Sequence, residues 1–391
     1  MGRFADMLDV ACREVGRMRH DGTYVALLAL LPAMAFGFFA LFFSNNAVEN
    51  LPVAVLDCDR TPLSRKVVSM LDATATVEVR FEPSDEWMCR RLMDEGEAYA
   101  VVLIPKGFGA AVGSGRSARV ELYDSGLNIS AGGFIAKDVQ TVVATFAGGV
   151  ELLHLQSLGE SRAQAMAQTL PLQFTPHILF NPTLDYGCYL APCFMAMMLM
   201  IFSLLATVYA IGSELRRATA DEWLRLSRGS MGVALGGKLL PVWLVLVWWA
   251  VVMLFLLFAL LGVVQHGSWV VLVVATLLLV VCYQAVAVVV VALTANMRLA
   301  LSLGGGYSVL AFTFSGLTFP EMAMAEPLQW LTHLFPFTYY VRIFIDQALR
   351  GAPIGYSVMD MSRMALFCVA PLLVVGRLRR ICCERAYWGR M

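Results

Sequence analysis

The sequence predicts an α-helical membrane protein, with six transmembrane helices plus a mixed α/β extracytoplasmic domain. Three observations carry this. No Asp, Glu, Lys or Arg occurs between Lys238 and Arg298, and three more uncharged runs cover Gly22–Val48, Tyr186–Ser213 and Leu299–Pro320. The 391 residues are 59% hydrophobic and only 15% charged, far more apolar than a globular domain. The charges are also segregated: residues 44–187 hold 11 basic and 17 acidic side chains, a net of −6, and the remainder carries +6. Each uncharged run can cross a ~30 Å hydrocarbon core as a helix rising ~1.5 Å per residue. Ionised side chains are costly in lipid, so membranes select such runs.

The elements follow in order. Residues 1–21 are charged and mixed, unlike a cleavable signal peptide. They read as an amphipathic cytoplasmic helix with Phe4, Met7, Leu8, Cys12, Val15 and Met18 on one side. The first span is expected at 22–43 and the second at 188–211. Residues 239–297 are too long for one helix and divide at the polar turn Gln265-His266-Gly267-Ser268, giving spans at 233–263 and 269–294. A fifth span is expected at 299–320, followed by an outer re-entrant segment at 321–362. The last apolar run, Met364–Gly376, is short for a span at 363–378, so Arg363 and Arg377 are expected to snorkel to opposite headgroup layers. A cytoplasmic tail covers 379–391. Six spans place the basic segments 1–21, 212–232 and 379–391 on one side, the cytoplasmic one by the Lys/Arg bias. Both termini are then inside a bacterial cytoplasmic (inner) membrane, and the acidic block 44–187 is outside.

That block reads as strands at Leu51–Leu56, Thr76–Phe81, Ala98–Ile104 and Ala118–Tyr123. Helices are expected at Thr61–Leu71, with Thr61 as N-cap and Pro62 behind it, and at Ser84–Glu95, capped by Ser84. Residues 130–169 read as a long helical stalk punctuated only by Gly148-Gly149. A Cys58–Cys89 disulfide is open to this block if it lies outside. No CxxC pair or histidine cluster points to a metal, no cofactor is expected, and no free-standing basic face points to nucleic acid.

Two motifs weigh less than they first promise. Asp57-Cys58-Asp59-Arg60-Thr61 follows an apolar strand, as in aspartate-nucleophile phosphatases, but no downstream acidic pair for magnesium accompanies it. The simpler reading is a strand-to-helix turn. Gly232–Lys238 fits GxxxxGK, yet Leu239 follows where a P-loop needs Ser or Thr, so ATP hydrolysis is not expected of this chain.

Thr219-Ala220-Asp221-Glu222 reads as a capping box opening a short amphipathic helix that carries Trp223, Leu224 and Leu226. That helix is suited equally to a membrane surface or to a partner protein. Gly304-Gly305-Gly306 suggests close helix packing or a bend.

Taken in order, these pieces resemble an ABC-2 type permease, the membrane subunit of an ATP-binding-cassette exporter. The local strings are LPVAVLDCDRTPLSRKVVSML, ELRRATADEWLRLSRGSMGVALGGKLLP, SGLTFP at 315–320 and LFPFTYYVR at 334–342. Ala218 stands where that family usually carries Gly before Thr. The resemblance implies a coupling helix docked on a separate ABC ATPase subunit, with Glu214, Arg217, Thr219, Glu222 and Trp223 as coupling candidates. It also implies a second permease chain, identical or not, a periplasmic adaptor as a further partner, and a lipid environment. Gly304, Gly305, Ser315, Gly316, Pro320 and Pro336 are the gating or path candidates. The spans are expected to carry no acidic or basic side chain for proton or sodium coupling, which favours an outside energy source and an amphipathic, lipid-like or drug-like substrate. Two other readings stay open: a membrane-anchored extracytoplasmic binding or scaffold protein, and an extracytoplasmic phosphatase.

Overall fold

A computed structural model describes residues 2–44, 49–159, 161–169, 180, 186–317 and 319–389. The chain forms two compact units, 1–46 with 179–391, and 47–178.

The first unit opens with helix α1 (Gly2–His20). Asp21 ends it and caps the next helix by accepting from Thr23 N–H. That helix, α2 (Gly22–Phe42), is long and apolar enough to cross a membrane, and it contains a π-helical turn at Ala26–Leu30.

The second unit holds strands β1 (Leu51–Asp57), β2 (Val77–Phe81), β3 (Ala100–Ile104) and β4 (Glu121–Asp124) in the order β2-β1-β3-β4. Strand β1 runs parallel to β2 and β3, and β4 runs antiparallel to β3. Between the strands lie α3 (Pro62–Asp72), α4 (Glu86–Asp94) and α5 (Phe108–Gly113), and α6 (Ile129–Ser157) and α7 (Arg162–Thr169) follow. Alternate strand residues face opposite sides. Val53 and Val55 pack with Val67 and Leu71 of α3 and Ile135 of α6. Ala54 and Leu56 pack with Cys89 and Leu92 of α4. Thr61 caps α3 as expected, accepting from Ser64 N–H. The cap of α4 is Asp85, not Ser84: its carboxylate accepts from Met88 N–H, and a carboxylate outdoes a hydroxyl at a helix N-terminus. The 130–169 helix breaks at Gly159, whose φ of +95° ends the helix geometry, while Gly149 stays helical. Cys58 and Cys89 are free thiols in one small apolar cluster.

The phosphatase-like turn is consumed by its own backbone. Asp57 accepts from the N–H groups of Asp59 and Arg60 and from Ser64 Oγ. Asp59 accepts from Gly107 and Gly109 N–H at 2.8 Å and from Thr61 Oγ1 at 2.7 Å. A Cβ on Gly109 would sit 2.6 Å from that hydroxyl. The Thr61 hydrogen bond and the amide donors hold the Asp59 carboxyl below its usual range. Its contribution to folding is therefore complete above pH ~4, the unfolded value, and is lost as pH falls through the folded one. Asp59→Asn should flatten this acid limb of unfolding, measured on the full chain by pulse proteolysis of the second unit between pH 5 and 2.5; an unchanged limb would assign the loss to other carboxylates.

The first unit resumes with α8 (Tyr186–Arg216), α9 (Ala220–Leu226), α10 (Met231–Leu260), α11 (Trp269–Thr294), α12 (Met297–Thr313), α13 (Glu326–Thr332), α14 (Pro336–Phe344), α15 (Ile354–Phe367) and α16 (Ala370–Cys383). Among the described residues, five helical segments have span length and composition: 22–42, 187–216, 231–260, 269–294 and 354–383. Helices α8 and α11 form the interior and pack against each other, with α12 on α8 and α16 on α11. Helix α12 has 17 residues, ~26 Å, and stops at Thr313 before a turn at Gly316 (φ +83°), short of the expected limit at 320. The last segment is longer than 363–378. Asp360 and Arg363 lie inside it and pair at 3.0 Å, which extends the helix beyond the uncharged run. Arg377 does not reach for headgroups as its main contact. It donates to the carbonyls of Ala292 and Leu293 at 2.7 and 3.1 Å, capping the end of α11.

Helix α14 is buried on nearly every side. The turn 265–268 is fixed to the chain that follows it. His266 and Gly267 N–H donate to the carbonyls of Ala348 and Gln347. The Gln347 side chain accepts from Ser268 N–H and donates to Ala352 O and Ser357 Oγ. A Cβ on Gly267 would lie 2.6 Å from Gln347 O.

Candidate functional site

The ends of α1, α8, α9 and α10 meet around a buried ion cluster. Glycines allow the approach: a Cβ on Gly237 would lie 2.5 Å from Met7 O and 2.8 Å from Val10 Cβ. The string that resembles a P-loop thus sits inside α10 and serves as the crossing point of α1. One residue on, the fully buried Lys238 ammonium donates to Glu14 at 2.5 Å and to Glu214 at 2.7 Å. Glu214, also fully buried, accepts from Arg13 at 2.7 Å, from Arg17 and from the Thr219 hydroxyl. Glu14 takes the Tyr24 hydroxyl as well. Three cations and two carboxylates share this site, and the exposed Glu222 reaches Arg13 at 3.4 Å. Burial alone would penalise every one of these charges; mutual pairing and hydrogen bonding offset the cost. Burial also lowers the Arg13 pKa, but the hydrogen bond to Glu214 and its charge outweigh that and raise it overall.

The expectation that the helices are free of charge is corrected here. The apolar runs are uncharged, but the helices outlast them and bury Glu214 and Lys238 at their ends. The capping box is corrected too. Thr219 occupies the N-cap position of α9, but with φ −103° and ψ 6° it is not in the extended conformation of a capping residue; its hydroxyl donates to Glu214 and makes no cap hydrogen bond. Glu222 turns to Arg13 instead of the backbone.

The five coupling candidates have different surroundings. Glu214 is the hub. Arg217 pairs with Asp21 at 2.6 Å, and Asp21 also accepts from Tyr209 at 2.8 Å. Burial raises the Asp21 pKa, while the Tyr209, Thr23 and Arg217 contacts lower it more. Trp223 is fully buried, donates to Ala234 O at 3.1 Å and lies 5.0 Å below the Lys238 ammonium. Of the five, Glu222 is the exposed one on α9, beside Arg225 and Leu226. Sequence reasoning passed over Arg13, Glu14, Arg17 and Lys238. Their signal was present: charges at 13, 14 and 17 share a face of an amphipathic helix, and Lys238 is the last charge before the longest uncharged run.

Ala218 has φ +57°, a conformation costing an L-residue about 1–2 kcal/mol. Ala218→Gly should raise stability by about 1 kcal/mol, read as a higher melting temperature of the purified protein. A lower one would show that the methyl group is needed.

The gating candidates divide into two places. A Cβ on Gly304 would lie 2.2 Å from Leu204 Cδ2, whereas Gly305 faces open space. Ser315 is buried and donates to Phe312 O. The Ser315-Gly316 turn is brought to the Pro336 end of α14 by Thr338 Oγ1 donating to Phe314 O at 3.4 Å and by stacking of Phe314 on Phe335. Pro320 opens a 3-10 turn at Glu321–Ala323, and Glu321 pairs with Arg342. Among the described residues no group of His, Cys, Asp and Glu is arranged to hold a metal.

Long apolar helices, with charged side chains confined largely to their ends and connections, define a multi-pass integral membrane protein. The sequence profile of the ABC-2 family transporter proteins matches residues 23–376. The chain belongs to that family and is an ABC transporter permease component, a class that works with an ABC ATPase. No curated protein matches it.

Proposed function

We propose that this chain is the permease subunit of an ATP-driven exporter moving an amphipathic, lipid-like or drug-like substrate out of the cytoplasm or inner leaflet. The carrying observation is the ion cluster. It ties α1, the turn before α9 and the start of α10 into one rigid piece, so a push on α9 is delivered to two membrane helices together. ATP hydrolysis belongs to a separate subunit, which meets the exposed Glu222, Arg225 and Leu226. Glu214, Arg217, Thr219 and Trp223 act from behind, by holding α9 in place. A second permease chain completes the path, with α8 and α12 facing the axis and Gly304, Gly305, Ser315, Gly316, Pro320 and Pro336 near it.

Six crossings are supported by the ends of the first unit. Arg13 and Arg17 contact Glu214, and Gly389 N–H donates to Leu215 O. Residues 13, 17 and 389 thus meet the same end of α8, which favours an even number of crossings, with α12 as the sixth helix. By the Lys/Arg bias that end is cytoplasmic in a bacterial inner membrane, and residues 47–178 are outside, where a periplasmic adaptor is the partner proposed for them.

Glu222→Ala should lower export and substrate-stimulated ATPase rate several-fold while membrane insertion and co-purification of the permease dimer persist. Unchanged export would remove α9 from the docking surface. If no ATPase co-purifies with the wild type, the anchored binding or scaffold reading takes its place.

A further inference from the structure

Away from the ion cluster, α1 and the two membrane helices beside it enclose an apolar groove of about 870 Å³. Its roof is the other face of α1, where Leu8, Cys12 and Val15 recur at helical spacing and remain exposed. One wall is the π-helical turn at Ala26–Leu30 with Val25 before it. The opposite wall is α10 at Pro241, Leu244 and Val245. Both walls depart from regular helix at the groove. The π-turn widens α2, and Pro241 supplies no N–H to the preceding turn.

One charged side chain lines the groove, Arg19. It is exposed and has no ion pair or hydrogen bond among the described residues. Its height is informative. The apolar helix starts at Gly22, so Arg19 stands at headgroup level, and the slot lined by residues 24–29 runs below it toward the hydrocarbon. A cation at the mouth of an apolar slot matches an amphiphile with a negative head and a hydrocarbon tail.

We propose that this groove is a binding site for a resident anionic phospholipid of the leaflet at the α1 end. One acyl chain lies between the π-turn and Pro241, and the phosphate faces Arg19. The lipid would cover the exposed Leu8 and Val15 on the groove side of α1. The site rests on the membrane character of the chain and is independent of cargo and direction of transport.

The test is native mass spectrometry of the full chain released from vesicles of equal phosphatidylglycerol and phosphatidylcholine. The wild type should retain phosphatidylglycerol preferentially. Arg19→Gln should cut that preference roughly fivefold, as expected for one basic side chain at an anionic surface, and Arg19→Lys should keep it. Ala29→Trp, which fills the slot from an exposed position, should remove bound lipid of both kinds. Equal retention of the two lipids by the wild type would overturn the headgroup assignment. Unchanged phosphatidylglycerol retention in both Arg19→Gln and Ala29→Trp would overturn the site.

Discussion

Replacing Glu214 with Ala should destabilise the helical unit by about 3–5 kcal/mol, the cost of stranding buried charges. Without Glu214, the cations of Arg13, Arg17 and Lys238 have Glu14 as their only remaining buried carboxylate, and Thr219 loses its acceptor. The expected reading is a melting temperature lowered by several degrees, with loss of transport. Glu214→Gln keeps the shape and one acceptor, so it should fall between the wild type and Ala. A double-mutant cycle of Glu214→Gln with Lys238→Met separates pairing from packing: the two losses should be strongly non-additive, because each side chain is the other's partner. Additive losses would mean that the cluster is a set of independent contacts, and the rigid-piece argument would fail.

The second large effect is expected at a glycine. Gly237→Val places branched carbon where Met7 O would be 2.5 Å from the first added atom. A backbone oxygen cannot rotate away as a side chain can, so α1 must lift from α10. Overpacking of this kind costs about 1–3 kcal/mol, and here it also pulls Glu14 from Lys238. Transport should fall more than stability does, and protease cutting within 1–21 should accelerate. Wild-type protease resistance with full transport would show that the crossing of α1 over Gly237 is dispensable.

The long apolar helices were legible because lipid leaves a simple mark, the absence of charge over twenty or more residues. The Thr61 cap and the strands around it were legible because they depend on neighbours a few residues away. The ion cluster was not. Arg13 and Glu214 are 201 residues apart, and Lys238 and Glu14 are 224 apart; no local pattern says that these charges meet. The reading of Thr219 failed for a local reason: its hydroxyl donates to Glu214, five residues earlier, and accepts no N–H of its own helix. The last helix was cut short because Arg363, at the edge of the uncharged run, looked like a boundary, although it pairs with Asp360. Paired three residues apart, they sit within a helix. The stalk was read through to residue 169 with Gly148-Gly149 as its only punctuation; that pair stays helical, and the left-handed geometry that ends α6 falls at Gly159.

Gln347 has a mechanical consequence. Its amide joins the 265–268 turn, the π-helical turn at Ile345–Arg350 and the start of α15, so hydrogen bonds tie those parts of the protein into one block. The meeting of α8 and α12 at Leu204 and Gly304 is of another kind, a methyl group resting on bare backbone. Dispersion forces resist separation there but offer little resistance to sliding. If the subunit changes shape during its cycle, the low-friction surface for that motion runs between these two helices, and the welded block carries its load without bending.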